Sequence, residues 1–135
     1  MKCNRNQLLL GAINGLVAVA AGAFGAHGLK AQLSADRLAT WETAAHYQLI
    51  HAVMMVVIAV AMGSMPTARL SPWIGWLFLA GIILFSGSLY ALALTGIRTL
   101  GIITPIGGVS FLSGWLLIGI CACKMRADDN TADSG

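Results

Sequence analysis

The sequence predicts an all-α polytopic membrane protein, a bundle of four transmembrane helices, and two observations support this prediction. First, 58% of the 135 residues are hydrophobic and 10% are charged, whereas soluble proteins average about 45–50% and about 25%. A soluble domain of this size could not bury so much apolar surface, because small domains leave much of their surface exposed. Second, four apolar stretches each have the roughly 20 residues that a helix needs to cross a hydrocarbon core. These stretches are 8–26, 44–63, 73–94 and 105–123.

The first span, 8–26, carries a ridge of small side chains. The ridge consists of Gly11, Gly15, Ala18, Gly22 and Ala26, which are three or four positions apart. Small residues let helix backbones approach closely in lipid, so the ridge indicates a helix contact, either within the bundle or with another copy or a larger membrane complex. Lys2 and Arg5 before the apolar run are also typical of a secretory leader. A leader that is removed needs no packing ridge, so we expect the span to be retained.

The segment between the first two spans predicts an amphipathic helix at the membrane interface. Ser34 suits the N-cap position, and Asp36 in the first turn complements the helix dipole. Leu38 and Trp41 then fall on one face, which indicates a helix lying in the interface with Trp41 as its anchor. The alternative is that this helix continues directly into the second span, as one bent helix from Ser34 to Gly63.

The second span begins with polar side chains on two different flanks. Glu42 and His46 are four residues apart and share one face, so we predict an interfacial hydrogen-bonded pair. Gln48 and His51 are three apart and share another face, which we expect to turn into the bundle. One helix therefore does not supply a single metal or catalytic cluster. A metal site that joins His27 to Glu42 and His46 is an alternative, but the sequence does not fix the distances between them.

Polar residues from three spans are predicted to form one intramembrane layer. The members of this layer are Gln48, His51, Ser86, Ser88, Tyr90 and Ser110. With a rise of 1.5 Å per residue, His51, Tyr90 and Ser110 each lie roughly 6–7 Å inside their own span. Lipid cannot satisfy these groups, so we expect them to bond one another, and we expect Asn14 in the first span to bond a neighbouring helix. An ionisable residue within the membrane is also a candidate for proton handling or ligand binding, and this alternative stays open.

Four spans place both ends of the chain on one side of the membrane. The terminal side carries Lys2, Arg5, Arg69, Lys124 and Arg126, and the opposite side carries Lys30, Arg37 and Arg98. The positive-inside rule therefore predicts that both termini are cytoplasmic. Residues 1–126 are predicted to form one transmembrane domain, and the polar residues 127–135 are predicted to form a disordered tail.

Sequence signatures of catalysis are absent. The chain has no G-x-S-x-G, H-E-x-x-H or phosphate-loop motif and no paired carboxylates. Cys3, Cys121 and Cys123 give no disulfide framework, and Cys121-x-Cys123 lacks partner ligands at zinc spacing. We interpret Cys121-x-Cys123 as small residues at a helix end, with metal binding or lipid attachment as the alternatives. Lys and Arg are scattered singly, which disfavours nucleic-acid binding. We therefore expect no enzyme activity, cofactor or metal.

Four blocks of sequence resemble a known family. They are GAFGAHGL (22–29), WETAAHYQLIH (41–51), FSGSLYALAL (85–94) and TPIGGVSFLSGW (104–115). In this order they are similar to domain-of-unknown-function family 423, the YgdD-like small bacterial inner-membrane proteins with a eukaryotic transmembrane relative. The resemblance implies an integral protein of the bacterial cytoplasmic membrane with three or four spans and no established activity. The acidic tail after Cys121-x-Cys123 departs from the family's basic ends.

Taken together, the residues and the resemblance predict a non-enzymatic accessory or structural membrane protein whose environment is the lipid bilayer. The main alternative is a transporter or channel that moves protons or a small solute through the polar layer of Gln48, His51, Tyr90 and Ser110. A further alternative is an enzyme that acts on a lipid or quinone, with the lipid against Tyr90 and Trp41.

Overall fold

The described part of the chain is built from helices and short connections. The computed structural model describes residues 4–64 and 71–132, without the side chains of Ser64 and of residues 126–132. The helices are α1 (Arg5–Phe24), α2 (Ala35–Ser64), α3 (Trp73–Gly81), α4 (Gly87–Thr95) and α5 (Thr104–Ala132). Two π-helical turns, Gly25–Leu29 and Ile82–Ser86, extend α1 and join α3 to α4, and a 3₁₀ turn spans Arg98–Ile102. Lys2, Cys3, Arg69 and the end of the predicted tail, 133–135, lie outside the described residues.

The helices confirm the predicted all-α membrane fold. Among residues 4–64 and 71–132, four helical stretches are long and apolar enough to cross a membrane, namely Arg5–Leu29, Ala35–Gly63, Trp73–Thr95 and Arg98–Met125. Each of the four stretches predicted from the sequence lies inside one of them. Lengths of 23 to 29 residues exceed the roughly 20 that a hydrocarbon core requires, so the ends of these helices extend beyond the core.

The amphipathic segment after the first span is part of α2 and does not form a separate helix. At 1.5 Å per residue the 30 residues of α2 span about 45 Å, which is longer than a hydrocarbon core of about 30 Å. No glycine or proline interrupts residues 35–62, so nothing in the chain breaks the helix between the interfacial and the buried parts. The alternative of one continuous helix is therefore the one that the structure adopts.

Trp41 differs from its predicted role as an interfacial anchor. Its side chain is 8% exposed, and its indole N–H donates to the Ala21 carbonyl oxygen over 2.8 Å. It packs with Leu29 and Ala93 in a small apolar cluster. Because an indole combines a large apolar ring with one donor, it can fill a gap between helices and satisfy a backbone carbonyl there.

The last helix also extends further than predicted, since α5 reaches Ala132 and so includes residues 127–132 of the tail that we predicted to be disordered. A helix that already exists inside the membrane adds further residues without a new nucleation step. Lys124, Met125 and Ala127 are good helix formers, which favours this continuation into water.

The helices form a row in which α2 and the α3–α4 span are central. α1 packs mainly on α2, which in turn packs on α3 and α4, while α5 packs mainly on α3 and on the π turn of 82–86. The most apolar windows of the two flanking spans are 17% buried, against 39% for α2 and 33% for the third span. Much of the surface of α1 and α5 therefore faces the membrane.

Glycines set how closely α5 approaches the third span. A Cβ atom at Gly107 would stand 2.3 Å from the backbone nitrogen of Phe85, and one at Gly81 would stand 2.3 Å from the ring of Phe111. Gly114 likewise leaves room for the ring of Phe78, which a Cβ atom would meet at 2.5 Å. Large rings and glycines thus alternate across this contact, as is typical of membrane helices whose backbones pack closely.

Candidate functional site

A chain of amide and hydroxyl groups links three spans inside the bundle. The Gln48 amide nitrogen donates to the Asn14 side-chain oxygen at 3.2 Å, and the Tyr90 hydroxyl donates to the Gln48 amide oxygen at 2.8 Å. The Asn14 amide nitrogen also donates to the Leu10 carbonyl oxygen at 2.9 Å. Through these bonds the buried Gln48 side chain of α2 connects α1 to α4. In lipid such bonds contribute roughly 0.6–2 kcal/mol each.

Two further side chains of α2 bond the backbone of other helices at the same end of the molecule. Trp41 lies against Tyr90, with ring centroids 4.5 Å apart. Arg37 donates from Nε to the Ala93 carbonyl oxygen at 2.6 Å and from a second guanidinium nitrogen to the Leu94 carbonyl oxygen. These carbonyls belong to the last turn of α4, where helix carbonyls lack partners within the helix and where a cation is favoured. We refer to this side of the molecule as the Arg37 end.

His51 belongs to a separate aromatic cluster. Its Nδ1 lies 2.7 Å from the Tyr47 carbonyl oxygen, and the Trp115 indole N–H donates to its Nε2 at 3.2 Å. Since Nε2 accepts a hydrogen bond, the proton of the neutral imidazole must be on Nδ1, from which it is donated to the carbonyl. The imidazole stacks on the Phe111 ring with centroids 3.5 Å apart and planes at 7°, and the Phe78 ring is 5.2 Å away.

The serines predicted for the layer bond elsewhere. The Ser88 hydroxyl donates to the Phe85 carbonyl oxygen at 2.9 Å, so the Thr104 hydroxyl, 2.7 Å away, is the donor to Ser88. Ser110 donates to the Leu77 carbonyl oxygen at 2.7 Å and thereby connects α5 to α3. Ser86 is fully buried, and its hydroxyl has no hydrogen-bond partner among the described residues.

The predicted single polar layer is therefore divided between several contacts. Only Gln48 and Tyr90 bond each other, whereas His51, Ser88 and Ser110 bond other residues. The predicted depths count from the end of each span, and they agree with one another only if those ends are level. They are not, because Phe111 at the start of α5 lies against Gly81, which precedes Tyr90 by nine residues, or about 13 Å of helix.

The interfacial residues Glu42 and His46 are both exposed. Within the described residues the structure contains no hydrogen bond between their side chains, and the ring of His46 lies beside that of Tyr47, with centroids 6.2 Å apart. The predicted pair is thus not formed, because exposed side chains four residues apart on a helix can adopt rotamers that point apart. No group of three or more metal-binding side chains, including any with His27, is present in the described part of the chain. Cys121 is buried, and Cys123 is exposed.

The small-residue ridge of α1 contacts α2 with only some of its members. Gly11 lies against α2, since a Cβ atom there would stand 3.1 Å from the Val56 backbone nitrogen, and Ala18 is 2% exposed. Gly15 and Gly22 have open space in place of a side chain, and Ala26 is exposed. The contact with α2 therefore uses a repeat of seven residues, whereas the rest of the ridge is not covered by the bundle.

A double-mutant cycle on Gln48 and Tyr90 measures the bond between α2 and α4. We expect Tyr90→Phe to lower the free energy of unfolding by roughly 1 kcal/mol, because the Gln48 oxygen loses its donor inside the membrane. In a Gln48→Leu background the same change should cost much less. Unfolding in mixed micelles by titration with sodium dodecyl sulfate measures both values. Additive effects of the two changes would contradict the bond.

Comparison with known proteins places these features in a family. Residues 21–108 match the family model described as protein of unknown function (DUF423). A UPF0382 membrane protein of Staphylococcus saprophyticus is 50% identical over 118 residues, which cover 87% of this chain and 97% of the relative. The UPF0382 membrane protein YwdK of Bacillus subtilis is 46% identical over 123 residues, covering 87% and 95%. No solved structure matches the chain.

These matches confirm the resemblance drawn from the four sequence blocks, and they include the first π turn, Gln48, His51 and the whole third span. The relatives are uncharacterised membrane proteins by name, in agreement with the four apolar helices found in the part of the chain that the structure describes. The chain therefore belongs to the DUF423 family and is a small integral membrane protein.

Proposed function

We propose that this protein is a non-enzymatic accessory or structural protein of the bacterial cytoplasmic membrane. The observation that carries the proposal is that the polar side chains of His51 and Gln48 are hydrogen-bonded within the protein. Both nitrogens of the His51 ring have partners, and so do both polar atoms of the Gln48 amide. The Gln48 bonds and the bond from Trp115 to His51 hold helices together, and a side chain whose polar atoms are all bonded within the protein is not available to a passing solute.

The proposal includes the orientation of the protein in the membrane, with both termini in the cytoplasm. Arg5 and Lys124 lie on the terminal side and Lys30, Arg37 and Arg98 on the opposite side; Lys2, Arg69 and Arg126 would add to the terminal side and give it the excess of basic residues. The part of the α1 ridge that the bundle leaves open, at Gly15 and Gly22, supports self-association or docking to a larger membrane complex, because small residues permit close contact between helices in lipid.

Reconstitution tests this role against transport. Purified protein in liposomes loaded with a pH-sensitive dye is expected to pass protons no faster than protein-free liposomes, because the His51 and Gln48 clusters are separate and internally bonded. Purification in mild detergent followed by mass spectrometry should in turn find a second copy or another membrane protein bound.

His51 distinguishes the two roles most directly. We expect His51→Leu to lower the yield of monodisperse protein, since Trp115 loses its acceptor and the stack on Phe111 is changed. A proton flux in wild-type liposomes that is lost in a well-folded His51→Ala variant would overturn the accessory role in favour of a transporter.

A further inference from the structure

A groove of about 470 Å³ opens on the side of the bundle, between the first halves of α2 and α5. Its floor is formed where the rings of His51 and Phe111 stack across the gap between the two helices. Phe85 and Trp115 line its walls. Leu112 on its edge is 70% exposed, so the groove opens sideways towards the acyl chains of the membrane.

The groove changes from polar to apolar along its length. His46 and Tyr47 line its mouth at the Arg37 end, and neither side chain has a hydrogen-bond partner within the described ranges. From Gly108 at the mouth to Trp115 at the far end is about 10 Å of helix, and this stretch is lined by aromatic and aliphatic side chains. A groove that is open to lipid, with a polar mouth and an apolar remainder, matches an amphiphile with a headgroup and an acyl chain.

The polar groups at the mouth and one carboxylate beyond it restrict the headgroup. The Tyr47 hydroxyl and the His46 imidazole can donate to a phosphate. Glu42 lies one helical turn beyond His46 on the same face of α2, is exposed and forms no ion pair with any described residue. A carboxylate beside the donors disfavours a headgroup with a phosphate alone, but it attracts one that carries an ammonium group next to the phosphate.

We propose that this groove binds one phospholipid with a primary ammonium headgroup, of the phosphatidylethanolamine type. Tyr47 and His46 hold the phosphate, Glu42 accepts hydrogen bonds from the ammonium, and the groove between Phe111 and Trp115 holds the upper part of one acyl chain. A quaternary ammonium has no N–H to donate to Glu42, and a glycerol headgroup has no cation. The site therefore discriminates between lipids by their headgroups. This binding goes beyond the accessory role, and the flux and partner measurements do not depend on it.

Native mass spectrometry of the purified chain tests the site. The protein is equilibrated in detergent micelles with equimolar phosphatidylethanolamine, phosphatidylcholine and phosphatidylglycerol that have identical acyl chains. We expect one phosphatidylethanolamine to be retained about three- to fivefold more than either competitor, as the contribution of one exposed charge pair allows. Equal retention of the three lipids would overturn the proposal.

Two variants and a control locate the binding. Glu42→Gln is expected to reduce retention of phosphatidylethanolamine to that of phosphatidylcholine, whereas Asp36→Asn, which removes an exposed carboxylate six residues away on α2, is expected to leave the preference unchanged. Gly108→Leu fills the groove with a side chain and should abolish retention of all three lipids. Loss of the preference in Asp36→Asn, or its survival in Glu42→Gln, would show that the headgroup is bound elsewhere. Size-exclusion profiles identical to wild type confirm that each variant is folded.

Discussion

Gly107→Ala is expected to disrupt the contact between α5 and the third span and to reduce the yield of folded protein sharply. The added methyl group would lie 2.3 Å from the Phe85 backbone nitrogen and 2.8 Å from the Leu84 carbonyl carbon. Backbone atoms in the middle of a span cannot move aside as a flexible side chain can. We therefore expect a loss at or above the upper end of the roughly 1–3 kcal/mol that overpacking usually costs.

The chain provides a matched control on the same helix. Gly119 has nothing within 4 Å of the position of a Cβ atom, so Gly119→Ala should leave stability unchanged or raise it slightly, because alanine is the better helix former. Both variants can be compared as fluorescent fusions by size-exclusion chromatography after heating. Equal melting temperatures for the two variants would show that α5 does not approach the third span as closely as the structure has it.

The same contact explains why the polar layer could not be predicted from the sequence. The spans themselves could be predicted, since the thickness of the bilayer fixes the length of an apolar helix and the sequence shows four such lengths. Their relative heights depend on which ring meets which glycine, for example Phe111 on Gly81. Such a pairing is a property of two packed surfaces, and no spacing within either helix encodes it.

His51 illustrates this limit in the candidate site. It lies three residues after Gln48 on α2, and both side chains turn into the bundle and are buried, as expected from this spacing. Their partners could not be predicted, because Trp115 lies 64 residues further along the chain and Asn14 lies in the other flanking helix. Periodicity identifies the face of a helix that is buried, but it does not identify the helix that covers it.

The structural roles of Arg37 and Trp41 could not be predicted from the sequence, because they depend on whether the start of α2 is buried against other helices. From the sequence, Arg37 contributes only to the predicted orientation of the protein, and Trp41 is predicted to be an anchor in the interface. The local signal is the same for an interfacial helix and for the buried start of a longer helix, since both place an aromatic ring on an apolar face. The absence of any glycine or proline from 35 to 62 is the feature that favours the longer helix.

Trp41→Ala is expected to destabilise the Arg37 end of the bundle by roughly 3–5 kcal/mol, as is usual for removal of a buried tryptophan. The change empties the space between α1 and α4, where the ring contacts Tyr90, and leaves the Ala21 carbonyl oxygen without its side-chain donor. Trp76→Ala is the control, because that ring is 46% exposed to the membrane side of α3 and should contribute much less. Unfolding by sodium dodecyl sulfate in mixed micelles measures both effects.

Gly25 provides a second, independent measurement of the same contact. A Cβ atom at Gly25 would stand 2.7 Å from the Trp41 ring. The ring cannot move away easily, because its N–H is bonded to α1 and its centroid lies 4.5 Å from that of the Tyr90 ring. Gly25→Ala should therefore destabilise the wild-type protein by roughly 1–3 kcal/mol. In the Trp41→Ala background the methyl group would enter the vacated space, so the same change should cost nothing or restore some stability. Such non-additivity is typical of residues in direct contact. Equal costs of Gly25→Ala in the two backgrounds would contradict the contact between Trp41 and α1 and would favour the predicted position of the ring at the membrane interface.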